Sequence, residues 1–341
     1  MHVFSRPVLV ISKCLGFEHC RYDGQMAHCE TAEELQPFAE FITICPECEV
    51  GLGVPREPIR LVKGRSLRLV QPATGLDITE KMQDIITDFL DRLQDVDGFI
   101  LKSGSPSCGL GKVKVFATAD AKDPLHKQGT GLLAKGLMDR FTNIPYADEI
   151  ALMDPEIREG FLIRVFMYAD LRMHHGSIQK LMDFHRRNKL LIMAYDPMGP
   201  KVLEKILIDH KQRPFDESVN VYTRTLREIT SVPPSKDNII NAFMHALGCL
   251  PHKMGSYKKQ YMVDCMKAYG KGILTLQQLR KNMIRISEFH ISYLKEQTLF
   301  YPYPENSGLA DQYKGDVNIQ HRSTLIRENS ECLGYKEREI R

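Results

Sequence analysis

Three short apolar segments in the first third of the chain each lead into a cysteine motif. The segments are Val8 to Ile11, Phe41 to Ile44 and Gly98-Phe-Ile-Leu, and the cysteines that follow them are Cys14, Cys45 and Cys108. Their length and apolar content predict buried strands. Because the carboxyl ends of parallel strands share one edge of a sheet, we expect the three cysteines to meet at a single site.

Helices are predicted between these strands. Residues Ala32 to Phe41 and Ile78 to Leu93 have apolar residues at helical spacing. The alternation of strands and helices predicts an α/β N-terminal domain, an open sheet with flanking helices, over residues 1–150.

The rest of the chain is predicted to be helical. The predicted helices are Phe161 to Met173, Ile178 to Met193, Lys201 to Ile208, Ser218 to Ile229, Ile239 to Leu247 and Leu274 to Leu299. Glycine and proline separate them, as is typical of helix boundaries. We therefore predict an all-α C-terminal domain over residues 151–305 and a polar tail over residues 306–341.

The composition is typical of a soluble globular protein. The 341 residues are 43% hydrophobic and 26% charged, and no apolar run approaches the roughly 20 residues that a membrane span needs. The first residues lack the features of a signal peptide, so nine cysteines indicate thiols or metal ligands rather than disulfides. We expect a cytoplasmic protein that spans no membrane.

The two halves differ in charge. Residues 1–150 hold 17 Lys and Arg against 21 Asp and Glu, whereas residues 151–341 hold 29 against 22. A basic half beside an acidic one suits a polyanion-binding module, although such an excess is also found on solvated surfaces.

The cysteines alone leave four interpretations open. Cys45-Pro-Glu-Cys48 has the spacing of a redox pair, but Pro46 and the glycines that follow indicate a loop. A structural zinc site would use a second such pair, which the sequence lacks. An iron–sulfur cluster tolerates wide spacing between its cysteine ligands. A free cysteine is also commonly a small buried apolar residue.

Four sequence blocks together resemble the bacterial thiouracil desulfidase family. They are Cys14-Leu-Gly with Cys20-Arg-Tyr-Asp-Gly, Cys45-Pro-Glu, Gly51-Leu-Gly-Val-Pro-Arg, and Leu101-Lys-Ser-Gly-Ser-Pro-Ser-Cys-Gly. The helical half, with Phe184-His-Arg-Arg-Asn-Lys and Tyr301-Pro-Tyr-Pro, is similar to a domain of uncertain role fused to this module. The fused proteins include tRNA 4-thiouridine desulfidases. Because both halves of the chain match such a fused protein, the resemblance covers nearly the whole chain.

The resemblance implies a 4Fe-4S cluster held by three protein cysteines, here Cys14, Cys45 and Cys108. An iron that lacks a protein ligand is a Lewis acid with high affinity for sulfur, and it would polarise the carbon–sulfur bond of a thiolated pyrimidine. Water would then replace the sulfur without a change of redox state. Whether Cys20 or Cys48 contributes a ligand stays open.

Polar residues beside these cysteines are the candidates for acid–base chemistry and substrate contact. Glu47 and Ser105 are predicted to be catalytic, because a carboxylate can activate water and a hydroxyl can donate a hydrogen bond. Lys102, Ser107 and Arg21 are predicted to bind substrate. Each also has a structural interpretation: a helix cap or surface charge for Glu47, backbone caps for the serines, an exposed cation for Lys102, and a turn brace for Arg21.

The predicted function is non-redox desulfuration of 4-thiouridine in tRNA to uridine, with release of sulfide. The positive helical half suits a base presented by tRNA, and Arg186 and Lys189, three residues apart on one predicted helix, could meet one phosphate backbone. One alternative is a desulfidase that acts on free thiopyrimidines such as thiouracil. The other is a non-catalytic iron–sulfur or zinc protein that binds RNA. No protein partner is predicted.

Overall fold

The computed structural model describes residues 4–250, 256–287 and 292–304. Its strands are β1 (Val8–Ser12), β2 (Glu40–Ile44), β3 (Arg60–Val62), β4 (Arg68–Gln71), β5 (Leu76–Asp77), β6 (Gly98–Leu101), β7 (Val113–Phe116), β8 (His126–Gly129) and β9 (Tyr146–Asp148). Its helices are α1 (Glu30–Leu35), α2 (Pro46–Glu49), α3 (Thr79–Arg92), α4 (Leu132–Arg140), α5 (Pro155–Met173), α6 (Ile178–Tyr195), α7 (Gly199–Ile208), α8 (Phe215–Ile229), α9 (Lys236–Gly248), α10 (Ser256–Gly270), α11 (Leu276–Ser287) and α12 (Ser292–Lys295). Short 3₁₀ turns lie at Ala151–Met153 and Asp209–Gln212.

A four-stranded parallel sheet forms the centre of the N-terminal part. Its strand order is β2-β1-β6-β9, with Ile11 of β1 opposite Thr43 on one side and Ile100 on the other. Leu9, Val10 and Ile11 are completely buried, as expected for a strand covered on both faces. The predicted α/β fold class is confirmed, and the loops that carry the three cysteines leave the same edge of this sheet.

A second, mixed sheet was not predicted from the sequence. Its order is β5-β4-β3-β7-β8, in which β3 and β7 are parallel and the other pairs antiparallel. Its strands are two to four residues long, and β8 reads His-Lys-Gln-Gly, without an apolar alternation. Strands this short carry too little periodicity to be recognised in the sequence.

The first helix is shorter than predicted. It ends at Leu35 rather than Phe41, and β2 begins at Glu40. Pro37 explains the difference, because proline has no backbone N–H with which to continue the hydrogen bonds of the helix. The predicted helix from Ile78 to Leu93 corresponds to α3.

The second half is helical, as predicted. The predictions that begin at Phe161, Ile178, Lys201, Ser218 and Ile239 correspond to α5, α6, α7, α8 and α9. Helix α10 was missed, because the side chains that it buries are two Met, one Cys and one Tyr rather than aliphatic residues. The helix predicted from Leu274 to Leu299 corresponds in part to α11 and α12, while residues 288–291 between them lie outside the described residues.

Helix α5 packs directly on the parallel sheet. A Cβ added to Gly98 would lie 2.6 Å from Val165 Cγ1 and 3.1 Å from Leu9 Cδ2, so glycine permits this close approach. Residues as far as Pro304 belong to one compact unit. The boundary at residue 150 stays a prediction, and the tail predicted at 306–341 lies outside the described residues.

In the described part of the chain, every helix falls short of the length or the apolar character that crossing a bilayer requires.

Candidate active site

A cavity of about 480 Å³ lies where the loops after β1, β2 and β6 meet. Its volume falls within the range of about 300–1,000 Å³ that is typical of small-molecule sites. All the predicted site residues line it, namely Cys14, Arg21, Cys45, Glu47, Lys102, Ser105, Ser107 and Cys108. The structure therefore brings them together, while their chemical roles stay predictions.

The thiols at this cavity come from three loops. Cys14, Cys20, Cys45 and Cys108 are buried in its wall, and Cys48 lies half-buried beside it. The sulfurs of Cys20, Cys45 and Cys48 all lie within 4.8 Å of one another. Within the described residues, neither Cys14 nor Cys108 joins a group this tight.

Four of these thiols, those of Cys20, Cys45, Cys48 and Cys108, are poor acids. A hydrogen bond with Cys14 raises the pKa of the Cys20 thiol to about 12, and burial raises the pKa of the Cys48 thiol to about 11. The hydrogen bond between Cys45 and Cys20, together with burial, raises the pKa of Cys45 well above its ordinary range. Burial likewise raises the pKa of Cys108 to about 12. Metal binding at this site would therefore displace protons.

Glu47 is held at both of its carboxylate oxygens. Arg56 donates from Nε and Nη2 to Oε2, across 3.0 and 2.6 Å. Ser107 donates its hydroxyl to Oε1 across 2.7 Å, and Ser105 approaches the same oxygen at 3.4 Å. The side chains of Arg56 and Glu47 are only 3% and 12% exposed, so this ion pair is fixed and largely shielded from water.

Arg56 also joins the carboxylate to the cysteine loops. Its Nη1 donates to the carbonyl oxygens of Cys20 and Gly53, both across 3.0 Å, and lies 3.9 Å from Cys48 Sγ. Burial opposes its charge, but the Glu47 carboxylate and the nearby thiols raise the pKa of Arg56 above its ordinary value. A permanent positive charge therefore lies between the carboxylate and the thiols.

The start of helix α4 holds the serine loop in place. The backbone N–H of Leu133 donates to the carbonyl of Ser107 across 2.9 Å, and that of Gly131 donates to the carbonyl of Gly109 across 2.8 Å. Ser105 Oγ in turn accepts from the backbone N–H of Cys108 across 3.1 Å. A Cβ on Gly131 would lie 2.5 Å from the Ser107 carbonyl carbon and oxygen, so only glycine allows the helix this close.

Lys102 is engaged by a carboxylate rather than free in the cavity. Its Nζ forms an ion pair with Glu149 across 2.5 Å and donates to Ser103 Oγ across 3.0 Å. Glu149 also accepts from the backbone N–H of Ser103 across 2.9 Å. Although burial opposes its charge, the hydrogen bonds from Lys102 and Ser103 hold the pKa of Glu149 below its usual value.

Basic side chains line one part of the cavity, which we call its mouth because Lys112 and Lys114 are exposed there. Arg21 pairs with Asp23 across 3.1 Å, which is the turn brace that the sequence left open. Arg60, Lys112 and Lys114 also line the cavity, and within the described residues no carboxylate pairs with any of them. Lys112 and Lys114 are exposed, so their charges face solvent.

The basic helix of the C-terminal part is largely committed to internal contacts. Arg186 pairs with Glu296, and Arg187 pairs with Asp170 across 3.1 Å. His185 and Asn188 are buried. Of the two cations predicted to meet a phosphate backbone, Arg186 therefore already has a carboxylate partner, which weakens its case as a tRNA contact.

Several residues of the site were missed in the sequence, namely the basic lining residues Arg60, Lys112 and Lys114 as well as Arg56 and Glu149. Arg56 ends the quoted block Gly51-Leu-Gly-Val-Pro-Arg, and Glu149 follows β9 directly. Arg56 had a signal, namely its place in a block that carries the family resemblance. Glu149 had none beyond its position after a strand end.

Comparisons with known proteins match two parts of the chain to two different families. Residues 9–149 match the sequence model of the family described as 2-thiouracil desulfurase, and residues 189–304 match that of a family described as a protein of unknown function, DUF1722. An uncharacterized protein, YbbK of Bacillus subtilis (strain 168), is 31% identical over 112 residues, which cover 30% of this chain and 74% of YbbK. A solved structure of the 4Fe-4S-dependent thiouracil desulfidase TudS is 27% identical and covers 45% of this chain and 97% of TudS, with a TM-score of 0.35.

Proposed function

Because the chain belongs to the 2-thiouracil desulfurase family, we propose that it replaces the sulfur of a thiolated pyrimidine with oxygen from water and releases sulfide. The observation that carries this proposal is the placement of Glu47, held between Arg56 and Ser107 in the same cavity as four buried thiols. A carboxylate that can activate water thus lies beside ligands for a thiophilic metal group.

The donor set fits a 4Fe-4S cluster. Cys14, Cys45 and Cys108 would hold it, since these buried thiols come from three loops around one cavity and iron–sulfur clusters favour thiolate ligands. When bound through three cysteines, the cluster supplies a Lewis-acidic iron that can take the sulfur of the substrate. The described cysteines, all of them free thiols, also favour a reducing compartment, and we place the protein in the cytoplasm.

Glu47 acts as the base in this proposal. Two guanidinium hydrogen bonds occupy its Oε2, so Oε1 is the atom that accepts the proton of the attacking water. Ser107 and Ser105 lie 3.0 Å apart and both reach Oε1. The two hydroxyls can therefore carry that proton from Glu47 toward the pyrimidine nitrogen or the departing sulfide.

The substrate that we favour is 4-thiouridine in tRNA. Support comes from the mouth of the cavity, where Lys112 and Lys114 are exposed and have no carboxylate partner within the described residues, whereas Arg60 donates to the carbonyls of Ala119 and Ala121. Cations that line a cavity of this volume suit a nucleotide that stays joined to its phosphate backbone. Lys102 and Arg21 are both paired with carboxylates. They would therefore help to position the substrate rather than supply a free positive charge for phosphate.

The second candidate is a free thiopyrimidine. The description of the matching family, 2-thiouracil desulfurase, favours it directly. A free base carries no phosphate, so it would gain nothing from the cations at the cavity mouth.

A substrate comparison on cluster-reconstituted protein tests the proposal. We expect sulfide release from tRNA that contains 4-thiouridine to exceed release from 2-thiouracil at least tenfold in kcat/KM, with none from unmodified tRNA. Faster release from 2-thiouracil would favour the second candidate. No release from any thiolated substrate would contradict desulfidase function.

A further inference from the structure

Cys20, Cys45 and Cys48 have the geometry of a site for one metal ion. Their sulfurs lie within 4.8 Å of one another. Thiolates bound at about 2.3 Å in a tetrahedral zinc site lie about 3.8 Å apart, so these three need to close only slightly. In a four-iron cluster, each cysteine binds a different iron and the sulfurs are held further apart. The three sulfurs are therefore better placed to bind one metal ion than to bind three different irons of a cluster.

We propose that Cys20, Cys45 and Cys48 bind one thiophilic divalent ion, Zn²⁺ or a chemical equivalent, in the cluster-free protein, and that this ion blocks cluster loading. The ion binding does not depend on the proposed function. The inhibition of cluster loading does depend on the proposed function, because it requires Cys45 to be a ligand of the cluster as well.

The local backbone builds this site from two loops. Cys45 and Cys48 flank the short helix α2, whose first residue is Pro46, and both thiols point at the carbonyl oxygen of Cys20, at 3.7 and 3.8 Å. A Cys-x-x-Cys pair supplies half of many zinc sites. The sequence lacks a second pair, but Cys20 supplies a third sulfur from a distant loop.

The surrounding charge matches such an ion. Three thiolates and one divalent cation carry a net charge of −1. Arg56 Nη1 lies 3.9 Å from Cys48 Sγ. The hydrogen bond to Glu18 chiefly favours the charge of Lys13, and Cys20 and Cys48 add to this effect. Because Arg56 is also paired with Glu47, it offsets the negative charge of this partly buried centre only in part.

The binding step is balanced without any redox partner. Each thiol that becomes a ligand loses one proton to solvent, so three protons leave as the ion binds. Three protein ligands leave a fourth position for water or another ligand from the adjoining cavity, which Cys20 and Cys45 both line.

Cobalt titration of the cluster-free protein tests the site. Protein stripped of iron with a chelator under anaerobic conditions is titrated with Co²⁺, whose thiolate charge-transfer and tetrahedral d–d bands report the ligands. We expect one equivalent to bind, Zn²⁺ to displace it, and Cys48→Ser to weaken binding at least about 100-fold. Cys20→Ala should do the same, whereas Cys14→Ser and Cys108→Ser should leave the spectrum and affinity within about twofold.

The outcomes separate the proposals. The site is overturned if no tetrahedral cobalt bands form. It is also overturned if cobalt binding is lost in Cys14→Ser or Cys108→Ser but kept in Cys48→Ser. Because Cys48 is half-buried, Cys48→Ser decides the question even if Cys20→Ala does not fold.

Loading the wild type with one equivalent of Zn²⁺ before cluster reconstitution tests the block. We expect iron uptake to fall at least fivefold in the wild type and by less than twofold in Cys48→Ser. Unchanged iron uptake in the wild type overturns the block alone. Sulfide release by the reconstituted protein is measured separately, so failure of the desulfidase proposal leaves the cobalt result standing.

Discussion

Ser107 donates its hydroxyl to Oε1 of Glu47 across 2.7 Å and thereby joins the loop after β6 to helix α2. The bond fixes which carboxylate oxygen faces the serines, because Arg56 occupies the other. The proposed chemistry depends on this orientation.

Replacing Glu47 should stop catalysis while the chain stays folded. Glu47→Gln removes the proton acceptor but keeps the size of the side chain, so we expect kcat to fall about 100-fold to 10,000-fold. Iron content, measured after reconstitution, should stay within 20% or so of wild type, since no thiol is changed. Glu49→Gln, on the exposed side of the same short helix, is the matched control and should keep full activity. Full activity in Glu47→Gln would show that another group is the base.

Replacing Arg56 should cost stability as well as activity. Arg56→Met leaves the 12% exposed Glu47 carboxylate without its cation and the Cys20 carbonyl without a donor. We expect the free energy of unfolding to fall by about 3 kcal/mol. Arg68→Met breaks a pair whose side chains are 52% and 34% exposed and should cost less than about 1 kcal/mol. Urea unfolding of both variants checks the contrast, and equal losses would mean that the Arg56 pair is no more than a surface contact.

A methyl group on Gly131 should disturb the serine loop. The new Cβ would lie 2.5 Å from the Ser107 backbone, so the loop must move away from helix α4. We expect Gly131→Ala to lower kcat at least about tenfold, because a 1 Å misplacement of catalytic groups is costly. Gly160→Ala, within helix α5 and with no atom within 4 Å of its Cβ, should instead raise stability by about 0.5–1 kcal/mol and keep activity. Wild-type kinetics in Gly131→Ala would show that the loop tolerates the shift.

Reversing charge at the cavity mouth should discriminate between substrates. The double variant Lys112→Glu with Lys114→Glu should raise the KM for thiolated tRNA at least about tenfold and reduce its salt dependence, because phosphate contacts release counterions. Lys135→Glu, on helix α4 and exposed, is the control for net charge. Steady-state kinetics at two salt concentrations measure both effects. If the KM for 2-thiouracil rose by the same factor, the two lysines would not act by binding phosphate.

Burial of His185 should make the fold sensitive to acid. Burial lowers its pKa to about 4, whereas an unfolded histidine has a pKa of about 6.5. The unfolded state therefore takes up the proton first as pH falls. Stability that is fully present above pH 6.5 is lost between about pH 6.5 and 4, by up to about 3 kcal/mol.

His185→Gln should flatten that part of the stability curve, because an amide does not titrate there and can still accept from Tyr222, whose hydroxyl lies 3.0 Å from Nδ1. Urea unfolding at pH 7, 5.5 and 4.5 measures the curve, with the exposed His245→Gln as control. A slope in His185→Gln equal to that of wild type would assign the acid loss to other groups.

The sequence predicted the elements that follow from simple patterns. Apolar runs gave β1, β2 and β6, and helical spacing gave α3 and five helices of the second half. The cysteine and serine motifs that follow those strands line one cavity because parallel strands share an edge.

Contacts between distant segments could not be read from the sequence. Glu149, which follows β9, pairs with Lys102 of the loop after β6, and Cys20 lies beside Cys45 and Cys48 although it belongs to another loop. The five-stranded sheet, which supplies Arg60 and Lys114 to the cavity, is made of strands too short for periodicity to show. These features depend on how the chain folds back on itself.

The measurement that tests the central claim most directly is turnover in ¹⁸O-labelled water. Cluster-reconstituted protein is supplied with tRNA that contains 4-thiouridine, without any reductant, and sulfide and the product base are both quantified. We predict equal amounts of sulfide and uridine, with one ¹⁸O atom in each uridine formed. Loss of sulfur that needs a reductant, or a product without ¹⁸O, would contradict hydrolytic desulfuration by this protein.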